Sequence, residues 1–175
     1  MKKIKLTGPI IRDLELSYGE KIKLDERDKK ILELLSKDGR MTIAELAKEI
    51  KLSRDATKYR LDKLIHRRVI TGFTAIANPS KIGLPLYTAV LISLGNLNSK
   101  KENQLISYMR EAPYIIYSAK VMGEWDIWIE VFARDAGHLD EILSDLRQKF
   151  SGIIKSVRIV PVVKEYKWKE FPGRF

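Results

Sequence analysis

Residues 42–61 have the sequence TIAELAKEIKLSRDATKYRL, and this stretch decides the fold of the first half of the chain. Thr42 followed by Glu45 fits a capping box, in which hydroxyl and carboxylate satisfy free N–H groups at the start of a helix. Ser53 can cap a second helix after a short turn. We expect one face of each helix to be buried. The residues on these faces are Ile43, Leu46, Ala47 and Ile50 on the first helix and Thr57, Leu61 and Leu64 on the second. The stretch predicts a helix-turn-helix.

The outer face of the second of these helices is strongly basic. From Lys51 to Arg68 the chain carries seven Lys and Arg and two Asp, a local charge of +5. A helix with this charge fits the major groove of DNA, with its first turns at base edges and its longer basic side chains at phosphates. A charged run alone more often marks a solvated helix face, but the helix-turn-helix spacing favours the DNA interpretation.

The charge of the whole chain also places a polyanionic partner at the first half. The 175 residues carry a net charge of +10. Residues 1–80 hold 19 Lys and Arg against 12 Asp and Glu, a net +7, whereas residues 81–175 hold 14 against 11, a net +3. Double-stranded DNA is therefore the expected partner. A chain of this length can form one large domain or two small ones.

The sequence has no cysteine, which excludes disulfides and thiolate metal sites. We expect no metal site, and nothing in the sequence indicates a cofactor. No apolar run approaches the roughly 18 residues of a membrane span. The basic start Met1-Lys2-Lys3 has no apolar signal-peptide region behind it. These features fit a cytoplasmic protein without a membrane partner.

A further helix precedes the helix-turn-helix. Asp25 can cap it, with Asp28 in its first turn, and Asp38-Gly39 ends it where glycine tolerates the left-handed conformation. Its apolar stripe comprises Ile31, Leu34 and Leu35. We assign residues 24–76 to a helix-turn-helix domain. Residues 1–23 form either an arm that packs on the same or a neighbouring subunit, or a disordered tail.

After the third helix the pattern changes to that of β-structure. Residues 69–76, VITGFTAI, predict a strand, and turn residues then indicate a linker over residues 77–85. The later elements are predicted as strand 86–94, helix 100–111, strands 115–121 and 125–133, helix 136–150 and strand 155–164. This βαββαβ order predicts an α+β, ferredoxin-like domain over residues 86–166, with helices on one sheet face. An aromatic tail, residues 167–175, can clamp a neighbouring subunit through Trp168, Phe171 and Phe175.

The strand at 125–133 has two faces of different character. Alternation places on one face Trp125, Ile127, Ile129 and Val131, and on the other Asp126, Trp128, Glu130 and Phe132. The two aromatics on the second face indicate that it meets another protein surface, because an open apolar sheet face invites association. A homodimer through the sheets is the simplest solution. The alternative is that Trp128 and Phe132 lie under the chain's own N-terminal domain or arm.

The order of these segments resembles the Lrp/AsnC (feast/famine) family of transcription regulators of prokaryotic and archaeal type. The matching segments span residues 24 to about 166 and are LDERDKKILELLSKDGR, TIAELAKEI, LSRDATKYRLDKL, VITGF, NPSKIG and VMGEWDIWIEV. The resemblance implies a winged helix-turn-helix followed by a ferredoxin-like (RAM-type) amino-acid-binding domain. It also implies homodimers that build tetramers or octamers, bind pseudo-palindromic DNA sites and take small amino-acid effectors between these domains.

Candidate site residues follow from the spacing and the resemblance together. We expect base-edge contacts from Arg54, Lys58 and Tyr59, and phosphate contacts from Arg40, Thr42, Ser53 and Lys63. Asp55 either accepts from cytosine N4 or stabilises the helix N-terminus, and the helix role is the one we expect. The effector is expected at the turn that contains Gly123, Trp125 and Asp126, where the family has a matching Gly and Asp. The glycine permits close approach and the aspartate can hold an α-ammonium group, although Gly-x-x-Asp between strands is most often only a turn.

Three positions depart from the family pattern. Lys51 stands in the turn where glycine is usual, so a left-handed conformation there would cost about 1 kcal/mol. Arg68 replaces the glycine that usually follows the recognition helix. Both add positive charge beside the DNA face, which either tunes binding or reflects drift in a tolerant turn. Met122 stands where family members that bind amino acids often have Thr, which puts the identity of the effector in question.

An enzyme is not expected. The only histidines in the sequence, His66 and His138, lie in no catalytic pattern, and no phosphate-binding Gly-rich loop is present. Siroheme decarboxylases share this layout and are the enzymatic alternative. They commonly carry His and Arg in the strand pair where this chain has VMGEWDIW, without His. A third alternative is an architectural protein that binds DNA with little sequence preference.

Overall fold

A computed structural model of the chain describes residues 21–96 and 98–166, and it divides between Ala75 and Ile76 into two compact units. The first unit contains three helices, α1 (Glu26–Lys37), α2 (Ile43–Ile50) and α3 (Arg54–His66). Residues 1–20 of the expected arm lie outside the described residues. The same holds for the tail with Trp168, Phe171 and Phe175.

Each helix of the first unit begins at the residue that the sequence indicates. Asp25 and Asp28 form a capping box at α1, and Thr42 and Glu45 form one at α2. The Ser53 hydroxyl accepts a backbone N–H of α3 at 3.2 Å. Because these side chains satisfy N–H groups that have no partner within the helix, they fix where each helix starts.

The expected stripes form the core of the first unit. Its buried cluster comprises Ile31, Leu46, Ile50, Leu61 and Leu64, with Leu34, Leu35 and Ile43 packed at its edge. Thr57 is also fully buried, and its hydroxyl donates to the Ser53 carbonyl at 2.8 Å. A polar side chain therefore enters this core without leaving a donor unpaired.

Residues 69–76 do not form the strand that their composition predicts. They lie outside any helix or strand, and no described strand pairs with them. A strand needs a second strand to pair with its N–H and C=O groups. The described part of the first unit contains only helices as regular elements, so it offers residues 69–76 no such partner. The end of α1 also needs no left-handed glycine. Asp38 ends it in an extended conformation, and Gly39 has no positive φ.

The second unit is a four-stranded antiparallel sheet with two helices. Its elements are β1 (Leu86–Leu94), α4 (Ser99–Glu111), β2 (Ile115–Lys120), β3 (Ile127–Ala133), α5 (Ala136–Lys149) and β4 (Ile154–Pro161). The strand order is β2-β3-β1-β4, and all neighbouring pairs are antiparallel. The βαββαβ prediction is confirmed. A short 3₁₀ turn (Pro79–Ile82), capped by Asn78, precedes the sheet.

Alternation along β3 separates a buried sheet face from an open one. Ile127, Ile129 and Val131 are buried in one core with residues of α4 and α5, whereas Trp128 is 39% exposed. The predicted start of this strand at Trp125 is wrong: β3 begins at Ile127, and Trp125 lies before it in a bent segment and not on a face of the strand. Trp125 is instead half-buried, with the Arg158 guanidinium 5.0 Å from its ring centre.

Candidate nucleic-acid interface and effector turn

A basic residue in the left-handed conformation lies in the connection on each side of α3. Lys51, between α2 and α3, has φ 54° and ψ 53°, and Arg68, after α3, has φ 55°. The N–H groups of the next residues, Leu52 and Val69, bond back to carbonyls five residues earlier at 3.0 and 2.9 Å. This is the helix-ending geometry in which glycine is usual. The left-handed conformation considered for Lys51 is therefore observed.

All seven side chains expected at DNA lie on the surface of the first unit. The α3 residues Arg54, Lys58, Tyr59 and Lys63 are exposed, as are Arg40, Thr42 and Ser53 around the starts of α2 and α3. On α3 these positions lie away from the buried residues Thr57, Leu61 and Leu64, and Tyr59 is 68% exposed. The fold thus brings basic, aromatic and hydroxyl groups to one helix-turn-helix, while their contacts with DNA stay a prediction.

One cation of α3 faces its own unit instead of solvent. Arg60 donates to Asp25 at 2.6 Å and to Asp28 at 2.7 Å, and Asp28 is buried. The hydrogen bonds to Asp25 and then Asp28 raise the pKa of Arg60. The pKa of Asp25 is lowered, first by the backbone N–H of Asp28 and also by Arg60. Arg60 therefore joins α3 to the start of α1, a role that its spacing in the sequence did not indicate.

The middle of the exposed α3 surface carries both signs of charge. Lys58 forms an ion pair with Asp62, and the two side chains are 65% and 52% exposed. Asp55 is exposed in the first turn, where its charge suits the helix N-terminus. An exposed ion pair contributes little to stability, so a phosphate can replace Asp62 at the Lys58 ammonium at low energetic cost.

The turn expected to hold an effector is a glycine-containing bend in which Asp126 already forms a hydrogen bond within the chain. Gly123 has φ 126°, a conformation that favours glycine, and Met122 beside it is fully exposed. One carboxylate oxygen of Asp126 accepts the Leu94 N–H at 2.7 Å, which ties the bend to β1. The other oxygen has no hydrogen-bond partner among the residues that the structure describes. Gly123, Trp125 and Asp126 line neither the cleft around Asp25, Tyr59 and Arg60 nor the cleft around Arg147, Ile154 and Val157.

The open face of the sheet presents aromatic and aliphatic side chains. Trp128 stands opposite Leu91 in the β1–β3 register, and Phe132 stands opposite Tyr87 with ring centres 5.0 Å apart. Val160 of β4 adds to this face and is 42% exposed. Burial, and then the nearby Glu130 carboxylate, raises the pKa of Tyr87. The face therefore combines aromatic and aliphatic side chains with the charged groups of Glu130 and Arg158.

The described residues hold no cluster of three or more His, Asp or Glu that suits a metal ion. The two histidines lie in different units. His66 is exposed at the end of α3, and His138 is buried in α5, where its Nδ1 accepts the Arg134 N–H at 3.1 Å. No helix in the described part of the chain is long and apolar enough to cross a membrane.

Comparison with known proteins identifies both units. Residues 24–71 match the model of a winged helix-turn-helix DNA-binding domain, and residues 89–170 match that of the Lrp/AsnC ligand binding domain. The HTH-type transcriptional regulator LrpA of Pyrococcus horikoshii is 33% identical over 132 residues, which is 75% of this chain and 92% of LrpA.

Solved structures give the same result. The structure of B. subtilis LrpC matches with a TM-score of 0.72 at 26% identity, over 85% of this chain and 100% of LrpC. A transcriptional regulator of Neisseria meningitidis, in complex with L-Met, matches with a TM-score of 0.81 at 23% identity, over 87% of this chain and 98% of that one. This chain therefore belongs to the Lrp/AsnC family of HTH-type transcriptional regulators, with a DNA-binding domain followed by a ligand-binding domain.

Proposed function

We propose that the chain acts as a homodimer on pseudo-palindromic sites in double-stranded DNA, with α3 of each subunit in the major groove. The exposed surface of α3 carries this proposal. Arg54 and Lys63 are exposed and form no ion pair with any described residue. Tyr59 lies between them in the sequence and is also exposed. In a helix-turn-helix the second helix reads base edges while the first crosses the backbone. Two-fold symmetry of the protein then requires two related half-sites in the DNA.

The experiment is a gel shift with Lys58→Ala and a matched control, Lys37→Ala. Both lysines form an exposed ion pair four residues apart on a helix of the same unit, and their side chains are 65% and 68% exposed. Only Lys58 lies on α3, so we expect roughly tenfold weaker DNA binding for Lys58→Ala and wild-type binding for Lys37→Ala. Equal affinity of the two variants would mean that α3 does not face DNA.

The dimer is proposed to form through the open sheet face. Trp128, Phe132 and Leu91 offer aromatic and aliphatic area that a second copy of the same face can bury. A two-fold interface uses the same patch on both subunits, so Trp128, Phe132 and Leu91 of one copy would meet the same three residues of the other. The family resemblance extends this proposal to tetramers or octamers. We also propose a cytoplasmic location, which suits a DNA-binding regulator of the prokaryotic and archaeal type.

The effector is proposed to be an amino acid, held at the turn between Gly123 and Asp126. Two observations support this: the second unit matches a ligand-binding domain, and the Neisseria relative forms a complex with L-Met. The free oxygen of Asp126 is the group expected to accept from the α-ammonium. Calorimetry with the common amino acids is the test, and Asp126→Asn is the matched variant because Asn can still accept the Leu94 N–H. Binding that is absent in the wild type, or unchanged in Asp126→Asn, would leave this turn structural.

A further inference from the structure

We propose that Lys51 and Arg68 bind the DNA backbone in addition to the residues above, one at each end of α3. This inference rests on the proposed DNA-binding role of that helix. It assigns a function to two residues whose positive φ is unfavourable for any residue with a side chain.

The first argument is conformational. Lys51 and Arg68 have φ of 54° and 55°, in the region where a side chain crowds its own backbone and glycine is favoured. The one other described non-glycine residue with positive φ is Asn96, at 51°, and asparagine tolerates this region well. Two long basic residues at glycine-type positions of one small unit are therefore unusual.

The second argument is that the folded protein gains no visible stabilisation from these side chains. Both residues are exposed, and neither forms a side-chain hydrogen bond or ion pair with a residue that the structure describes. Glycine at either position would keep the helix-ending hydrogen bonds, which are made by the backbone. Strain that local packing does not offset is typical of residues that act on a ligand.

The third argument is position and charge. α3 has 13 residues, so it is about 20 Å long at 1.5 Å per residue. The two cations flank it and can meet different phosphates. Lys58 and Arg60 on the helix itself are already paired with carboxylates of the same unit. Lys51 and Arg68 extend the set of α3 cations without a described ion-pair partner, Arg54 and Lys63, to both ends of the helix, where each can release a counterion from the DNA backbone.

The experiment compares Lys51→Gly and Arg68→Gly with wild type on a mixed-sequence duplex of about four helical turns. We expect each variant to melt several degrees higher and to bind roughly fivefold more weakly near 0.1 M salt. The plot of log affinity against log salt concentration should become shallower by about 0.9 for each phosphate that is no longer neutralised, or about 1.8 for a dimer. The matched control is Asn96→Gly, at a left-handed position in the second unit, which should leave affinity and salt slope unchanged.

Lys51→Gln and Arg68→Gln separate charge from strain and decide the question if a glycine variant fails to fold. These variants should bind as weakly as the glycine variants without melting higher. Affinity and salt slope equal to wild type in all variants would overturn the inference while leaving the proposed function intact. A wild-type protein that binds neither this duplex at low salt nor any sequence from a random DNA pool would overturn both.

Discussion

Replacing Arg60 with Met tests how the helix-turn-helix is fixed to α1. Met keeps the apolar stem but removes both hydrogen bonds to Asp25 and Asp28. The side chain of Asp28 is 12% exposed and that of Asp25 is 52% exposed. The Asp28 bond is therefore expected to contribute about 1.5–2 kcal/mol as a sheltered, charged hydrogen bond, and the Asp25 bond about 0–1 kcal/mol. We expect the free energy of unfolding of the first unit to fall by about 2 kcal/mol.

Hydrogen exchange measured on peptides is the suitable assay, because the two compact units need not unfold together. A loss of about 2 kcal/mol should speed exchange in α1 and α3 about 30-fold, while α5 in the second unit keeps its wild-type rate. The matched control is Arg54→Met, on the same helix but without a described ion-pair partner. It should leave exchange in α1 unchanged.

A double-mutant cycle with Asp28→Asn decides whether Arg60 acts through Asp28. The two changes should be non-additive by about 1 kcal/mol or more, since each removes the same ion pair. Additive effects, or exchange in α1 and α3 that stays within twofold of wild type in Arg60→Met, would refute the idea that this ion pair joins the helices.

Three further outcomes are expected. Thr88→Val should raise the free energy of unfolding of the second unit by about 1 kcal/mol, because the buried Thr88 hydroxyl has no hydrogen-bond partner among the described residues; a denaturant titration showing a decrease would contradict this. Trp128→Glu should shift the protein toward monomer in sedimentation, and an unchanged mass would exclude the open sheet face as the dimer interface. The pKa values of Asp25 and Glu45 are lowered by the backbone N–H groups of Asp28 and Thr42, respectively. The unfolded state thus binds more protons below about pH 5, and thermal melts should show stability falling as pH drops below that value.

The parts of the fold that were predicted correctly depend on neighbours in sequence. Helix starts at Asp25, Thr42 and Ser53 are set by groups within one turn, and the buried stripes follow from 3.6-residue spacing. The strand expected over residues 69–76 failed because a strand depends on a partner elsewhere in the chain, which local propensity does not report.

The site shows the same division between local and distant causes. The left-handed conformation at Lys51 could be considered from the sequence because the family usually has glycine in this turn. The role of Arg60 was not, since its partners lie 35 and 32 residues earlier in the chain. Trp125 lies outside β3, next to Asp126, whose carboxylate accepts the Leu94 N–H from 32 residues away in the chain. The alternation of residues along the strand does not indicate this contact.

Selection of bound sequences from a pool of random DNA duplexes tests the regulator assignment most directly. We predict enrichment of one pseudo-palindrome whose half-sites are separated by whole helical turns of about 10–10.5 base pairs, because paired α3 helices enter successive major grooves on one side of the duplex. Enrichment of no sequence, despite tight binding, would contradict sequence-specific recognition and would indicate an architectural DNA-binding protein instead.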